Sequence, residues 1–325
     1  MKSFLNLVSI ENFKMWKRLS TKVMLIVLVG IILLAFGIMK YYNVSQNIST
    51  DNKVSATWKE DTQKQLEGDK LALAQLEKDT SAKKNEQIKS LKKAIAQEEY
   101  IVAHDIKPET KQNVWSKIST NNFSQIIALL LIIACSANVA GEFTEGTMKM
   151  MIPRPYSRSQ ILTAKFIASL FYGIVLLGVT FILSFLLTGL LSGFNNLGAK
   201  EMLWTGSSIV YIPAVIRTLI IYALDLLQIL VYVIFAFALS AIFRSRSIAT
   251  GFSLFMLLAG ANLISFLSSL FSWGKFLPFA TPTLSFYIIT DIQNTTLGFA
   301  LIMSAIYSVI FLIAGYYTFN KRDIQ

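Results

Sequence analysis

The sequence is poor in the residues that build catalytic and metal centres. Its single cysteine, Cys135, excludes an intrachain disulfide and a thiolate cluster. Its single histidine, His104, lies in a long polar stretch, where a lone His is ordinarily a surface residue. Charged residues make up only 15% of the chain, and no Gly-x-x-x-x-Gly-Lys-Ser/Thr stretch occurs, so the chain carries no P-loop phosphate cradle. What it has instead is apolar: 54% hydrophobic residues and a mean hydropathy of +0.54. A soluble enzyme would interleave apolar with polar residues. Here the apolar residues gather into runs, and a helix needs roughly 20 of them to cross a bilayer.

Six runs can be read: 23–42, 123–140, 166–191, 215–243, 248–271 and 297–319. They are continuous and do not alternate every second residue, which selects helices over barrel strands. The first run is expected to be a retained helix and not a signal peptide, because some 22 residues precede it and it ends in Met39-Lys40-Tyr41-Tyr42 with no small-x-small cleavage site. The expected fold is an all-α membrane protein with six transmembrane helices.

A formal charge of +11 suggests nucleic acid until it is mapped. Segment 43–122 holds 13 lysines and 12 acids and is nearly neutral. Of the other 17 basic residues, thirteen cluster on one side: Lys2 to Lys22, Lys149 to Lys165, Arg244 with Arg246, and Lys321 with Arg322. Lys40, Lys200, Arg217 and Lys275 fall on the other. This is the positive-inside pattern, which sets topology and does not imply nucleic acid as a partner. Both termini are expected in the cytoplasm and segment 43–122 outside, in a plasma membrane. The excess of Lys over Arg looks bacterial.

The segments between the runs carry their own expectations. Residues 1–22 read as an amphipathic interfacial helix, with Phe4, Val8, Phe13 and Trp16 on one side and Lys14, Lys17 and Arg18 meeting anionic headgroups; the alternative is a plain cytoplasmic tail. Within 43–122, Val54, Trp58, Leu66, Leu73 and Leu76 recur at multiples of three and four, as do Ile88, Leu91, Ile95 and Val102. These predict an extracellular helical hairpin of coiled-coil character, serving as a gate, a dock or only a spacer. Segment 192–214 reads as an outer loop, 244–247 as a cytoplasmic turn, and 320–325 as a cytoplasmic tail. Segment 272–296 is outside by count yet apolar, which predicts short broken helices re-entering the membrane edge.

The most informative stretch is the cytoplasmic connection 141–165. Glu142 and Glu145 precede Gly146-Thr147, an apolar stretch Met148 to Ile152, then Pro155-Tyr156-Ser157-Arg158 and Lys165. Ser157 is placed as an N-cap with Gln160 at the capping-box position. A short helix held between two membrane helices would transmit a push from a docked protein; a loop that merely obeys the charge rule is the alternative.

This stretch resembles the hallmark of the ABC type-2 exporter permease family. The six-helix plan with internal termini is similar across the chain. The long insertion 43–122 and Ile152-Pro153-Arg154 depart from the pattern. The resemblance implies that Glu142, Glu145, Gly146, Thr147, Arg154, Pro155, Ser157 and Arg158 form an energy-coupling interface with two partner ATPase subunits, which would bind ATP and Mg. It also implies a second permease, identical or not, and a hydrophobic or amphiphilic cargo such as a peptide, antimicrobial, lipid or drug. The chain itself would not be an enzyme.

Inside the runs, Asp225 lies about ten residues into the fourth, an expensive place for a charge. Tyr222, Gln228 and Tyr232 share its helical face at spacings of three and four, predicting a polar stripe along the translocation path or a dimer seam. Alternatively, Asp225 only orients helices. Two further readings remain: a gradient-driven transporter using Asp225, and a receptor or immunity protein using the outer hairpin without transport.

Overall fold

Backbone that crosses lipid must satisfy its own hydrogen bonds, so each long apolar run winds into a helix. The computed structural model describes residues 2–45, 57–77, 84–106, 113–120, 123–144, 156–194, 196–204, 209–271, 273–281, 283–289 and 295–321. The protein opens with α1 (Lys2–Lys17), α2 (Leu19–Ser45), α3 (Trp58–Glu77), α4 (Lys84–Ala103), α5 (Val114–Thr120), α6 (Ser124–Val139), α7 (Gly141–Thr144) and α8 (Arg158–Ser192). It continues with β1 (Lys200–Trp204), β2 (Ile209–Pro213), α9 (Ala214–Phe243), α10 (Arg246–Phe255), α11 (Ala261–Leu270), α12 (Phe286–Ile289) and α13 (Leu297–Lys321).

Among the described residues, five helices are long and apolar enough to cross a membrane, spanning Leu19–Tyr42, Ser124–Phe143, Arg158–Leu191, Ala214–Phe243 and Leu297–Lys321. This is a multi-pass membrane protein. The run at 248–271 is not a sixth unbroken helix: α10 and α11 are joined by a π-helical turn, Met256–Gly260. The wide turn folds the Met256 side chain across Gly260, where a Cβ would lie 2.5 Å from the Met256 sulfur.

α6 is the axis of the bundle. Ile127, Leu131, Ile132, Cys135 and Val139 are buried, and α8 and α9 flank it. α2 turns Leu28, Ile32 and Phe36 inward at four-residue steps and leaves Ile26, Leu33 and Leu34 exposed, as a lipid-facing helix does. α13 packs along α9 through Gly315, where a Cβ would meet the Ala238 Cα at 3.2 Å. Bare glycine lets the two backbones approach closely, a recurrent device where lipid supplies no hydrophobic drive between helices.

Two findings correct the expected loops. The segment 192–214, expected as an outer loop, contains a short hairpin in which β1 and β2 pair antiparallel from Lys200 opposite Pro213 to Trp204 opposite Ile209. Aromatic and β-branched residues (Trp204, Ile209, Val210, Tyr211, Ile212) suit a pleated surface better than a free loop. Within 43–122, the short helix α5 buries Val114 and Ile118 against α8 and α9, so this end of the insertion belongs to the bundle. Asn113 accepts from the Ser116 N–H at 2.7 Å and donates to Glu201 at 2.8 Å, and Arg217 reaches the same carboxylate at 2.7 Å.

α3 and α4 run antiparallel. Lys59 near the start of α3 pairs with Asp105 just past α4 at 2.8 Å, and Lys70 pairs with Glu99 at 2.7 Å. Tyr100 of α4 lies against Tyr211 of β2, ring centroids 6.4 Å apart.

Candidate functional site

The first site is built where α1, α7 and α8 meet. α1 turns Leu7, Glu11 and Met15 inward at four-residue steps. Phe13, expected on the apolar side with Phe4, Val8 and Trp16, is 63% exposed on the other face. The reason is angular: Phe13 stands nine positions from Phe4, or two and a half turns of about 3.6 residues. Glu11 is fully buried, and so is Lys165 of α8. The Lys165 ammonium donates to Glu11 at 2.7 Å and lies 2.7 Å from Glu142 of α7. Lys14 adds a 2.9 Å bond to Glu11 and stands 3.9 Å from Glu142; Arg18 is 4.0 Å from Glu142.

Burial pushes the Glu11 carboxyl up, but the pull of Lys165, with hydrogen bonds from Lys165 and Lys14, outweighs it and holds the group below its usual range. Buried ions are tolerated only when paired and hydrogen-bonded, and this cluster meets that condition. Arg18 also donates to the Ala137 carbonyl at 3.0 Å, satisfying an acceptor in the last turn of α6, where a cation complements the helix dipole. Trp16 meets Tyr172 edge-on at 5.4 Å, and the Tyr172 hydroxyl donates to the Thr21 carbonyl at 2.8 Å, pinning the α1–α2 elbow to α8.

α7 is gripped on its other flank as well. Phe143 lies under the Arg244 guanidinium at 5.3 Å, and its ring meets Phe319 of α13 edge-on at 5.9 Å. Arg244 ends α9 in the left-handed conformation, φ 54°. Displacing α7 therefore strains α1, α8, α9 and α13 together.

Ser157 and Arg158 stand at the start of α8. The capping box forms: the Ser157 hydroxyl accepts from the Gln160 N–H at 3.2 Å, and the Gln160 side chain accepts from the Ser157 N–H at 3.0 Å. Glu145, Gly146, Thr147, Arg154 and Pro155 lie outside the described residues. Glu11 and Phe143 were not singled out by sequence reasoning. The available signal for Glu11 was an acid on the same stripe as Leu7 and Met15.

At the opposite end of α6 the structure opens a cavity of about 430 Å³. Ser124 and Gln125 of α6, Gln228 and Tyr232 of α9, and Asn262 of α11 line it. Phe279, between α11 and α12, stacks on Tyr232 at 4.8 Å with 11° between planes. The polar stripe on α9 does not converge. Tyr222 and Asp225 face a separate narrow space beside Ile118, Ser119 and Thr180, while Gln228 and Tyr232 face the cavity. Steps of three residues fall about 60° short of a full turn, so the stripe winds around the helix.

The comparisons bear on this geometry. A family model described as "Protein of unknown function (DUF2705)" matches residues 87–325. The chain belongs to this family. The DUF2705 match contains α7, Lys165 and the whole cavity, whereas Glu11 precedes it. The chain is also similar to the uncharacterized protein YhcI of Bacillus subtilis (strain 168), 32% identical over 98% of this chain and 99% of that protein. It is similar to the uncharacterized membrane protein YdbK of the same organism, 26% identical over 63% of this chain and 81% of that protein.

Proposed function

We propose that the chain is the membrane subunit of an ATP-driven exporter of the ABC type-2 kind, without catalytic activity of its own. It crosses a bacterial plasma membrane six times, α10, the π turn and α11 together forming the fifth span. Both termini and the 141–165 connection are cytoplasmic, and the α3–α4 hairpin stands outside. Two ATPase subunits carry ATP and Mg and grip the connection; a second permease completes the pathway; the cargo is hydrophobic or amphiphilic.

The observation that supports this reading most is the buried Glu11–Lys165–Glu142 cluster. Glu142 and Lys165 are the first and last charged residues of the coupling motif, and they meet in space around an acid from the N-terminal helix. A segment emerging from α7 would thus be tied to the interfacial helix and the third span, as a lever needs. No further protein is required for that tie, but a motor is required to move it.

The test is purification from the native membrane. The expected result is a complex with an ATPase whose hydrolysis is lost or uncoupled when Gly146-Thr147 is replaced by Pro-Pro. Isolation without any ATPase under conditions that preserve the bilayer, for example in polymer-excised discs, overturns the reading.

A further inference from the structure

Among the described residues, none that lines the cavity beside α6 is charged, and the cavity is large enough for a small ligand. Its polar groups are amides and hydroxyls: Gln125, Gln228 and Asn262, with Ser124, Tyr232 and Thr281. The Gln228 carbonyl oxygen is buried without a hydrogen-bond partner among the described residues, a state that costs free energy unless something donates to it. The apolar wall is the stacked Tyr232–Phe279 pair together with Leu257.

Leu257 belongs to the π-helical turn, and such turns occur disproportionately at functional sites because the extra residue per turn widens the helix locally. Asn262 follows two residues beyond the interruption, where it lines the cavity.

We propose that this cavity binds an uncharged amphiphile: a head with amide or hydroxyl donors against Gln228 and Asn262, and an apolar body against Tyr232, Phe279 and Leu257. A charged head would be desolvated there with no counter-ion among the described lining residues, which selects against it. Treating the occupant as the exported cargo rests on the exporter reading. Binding as such does not.

The probes are N-octanoylglycinamide and 1-octanoylglycerol, with octylammonium and octanoate as charged controls of equal chain length. The full chain is reconstituted in lipid nanodiscs, and binding is read as a saturable rise in Tm. Both or either neutral probe saturates, and each charged control binds at least tenfold more weakly. Gln228→Leu and Asn262→Leu each weaken the neutral probe about tenfold, about 1.4 kcal/mol, the scale of one hydrogen bond. Ala128→Phe fills the space and abolishes the response, while its unliganded Tm and monodisperse elution show that it folds.

Preference for the glycinamide identifies peptide-like cargo, and preference for the glycerol identifies a lipid. Equal binding of octylammonium, or neutral binding unchanged in all three variants, overturns the proposal. Neither outcome depends on an ATPase: saturable binding with no ATPase in the native complex would sink the exporter reading and leave the site standing.

Discussion

Lys165 and Glu11 stand 154 residues apart in sequence and 2.7 Å apart in space, with neither side chain exposed. The pair closes the start of α8 onto α1, and Glu142 closes the same ammonium onto α7. Replacing Lys165 by Met leaves two carboxylates facing each other in a dry site, and removing one partner of a buried pair costs about 3–5 kcal/mol. Thermal unfolding in detergent should show Lys165→Met as a severe loss. Adding Glu11→Gln should recover part of it, because the two changes share one interaction. Strict additivity would mean that the cluster does not exist in the membrane.

Acid should loosen the same place. The Glu11 carboxyl is held below its ordinary value of 4.5, so between the two values the folded chain binds fewer protons than the unfolded one. The contribution is complete above pH 4.5 and is lost as pH falls through the lowered value. Glu11→Gln should flatten the acid limb of the stability profile while lowering the neutral plateau.

The α3–α4 hairpin should respond with the opposite sign. Burial, and secondarily the charge of Asp69 on α3, raises the Glu98 carboxyl above its ordinary 4.5. Folding of α3 against α4 is therefore unpenalised below 4.5 and loses stability as pH rises through the raised value. Glu98→Gln should strengthen the hairpin at neutral pH, read as slower amide exchange in α4, and leave acid pH unchanged.

How much of this was legible in the sequence follows from the range of each interaction. The spans around α2, α6, α8, α9 and α13 are legible because hydropathy is a property of neighbouring residues. So is the Ser157–Gln160 box, closed within three positions. The burial of Glu11 is not, since its partner lies on a helix half the chain away. The interruption between α10 and α11 depends on Met256 settling over Gly260, which no apolar count registers. The α9 stripe misled because spacings of three and four were treated as one face, and the structure divides it between two spaces.

The close approach of α13 to α9 gives a local test. Gly315→Val puts branched carbons where even a Cβ would sit 3.2 Å from Ala238. Overpacking of this kind costs about 1–3 kcal/mol, so Tm should fall. Ala238→Gly should restore part of the loss by removing the facing methyl. Failure of that rescue would place the strain on the Ala238 backbone, whose Cα stays 3.2 Å from the added Cβ, and an unchanged Tm in Gly315→Val would mean that the two helices do not meet here.

Asp225 separates two ways of driving transport. It is 3% exposed and sits with Tyr222 beside α5 and α8, away from the larger cavity. If a gradient drove the protein through this carboxyl, Asp225→Asn would abolish activity, because the amide cannot carry the proton or ion. If ATP drives it, the side chain serves as a hydrogen-bonding group, and Asn keeps that capacity in nearly the same shape. Asp225→Asn should then hold ATP hydrolysis by the reconstituted complex within about twofold, the scale of a few tenths of a kcal/mol. Asp225→Leu should lose stability, because polar groups that faced the carboxyl are left buried and unmatched. An Asn variant that folds normally yet is dead would move the energy source from the proposed lever at α7 to the middle of α9.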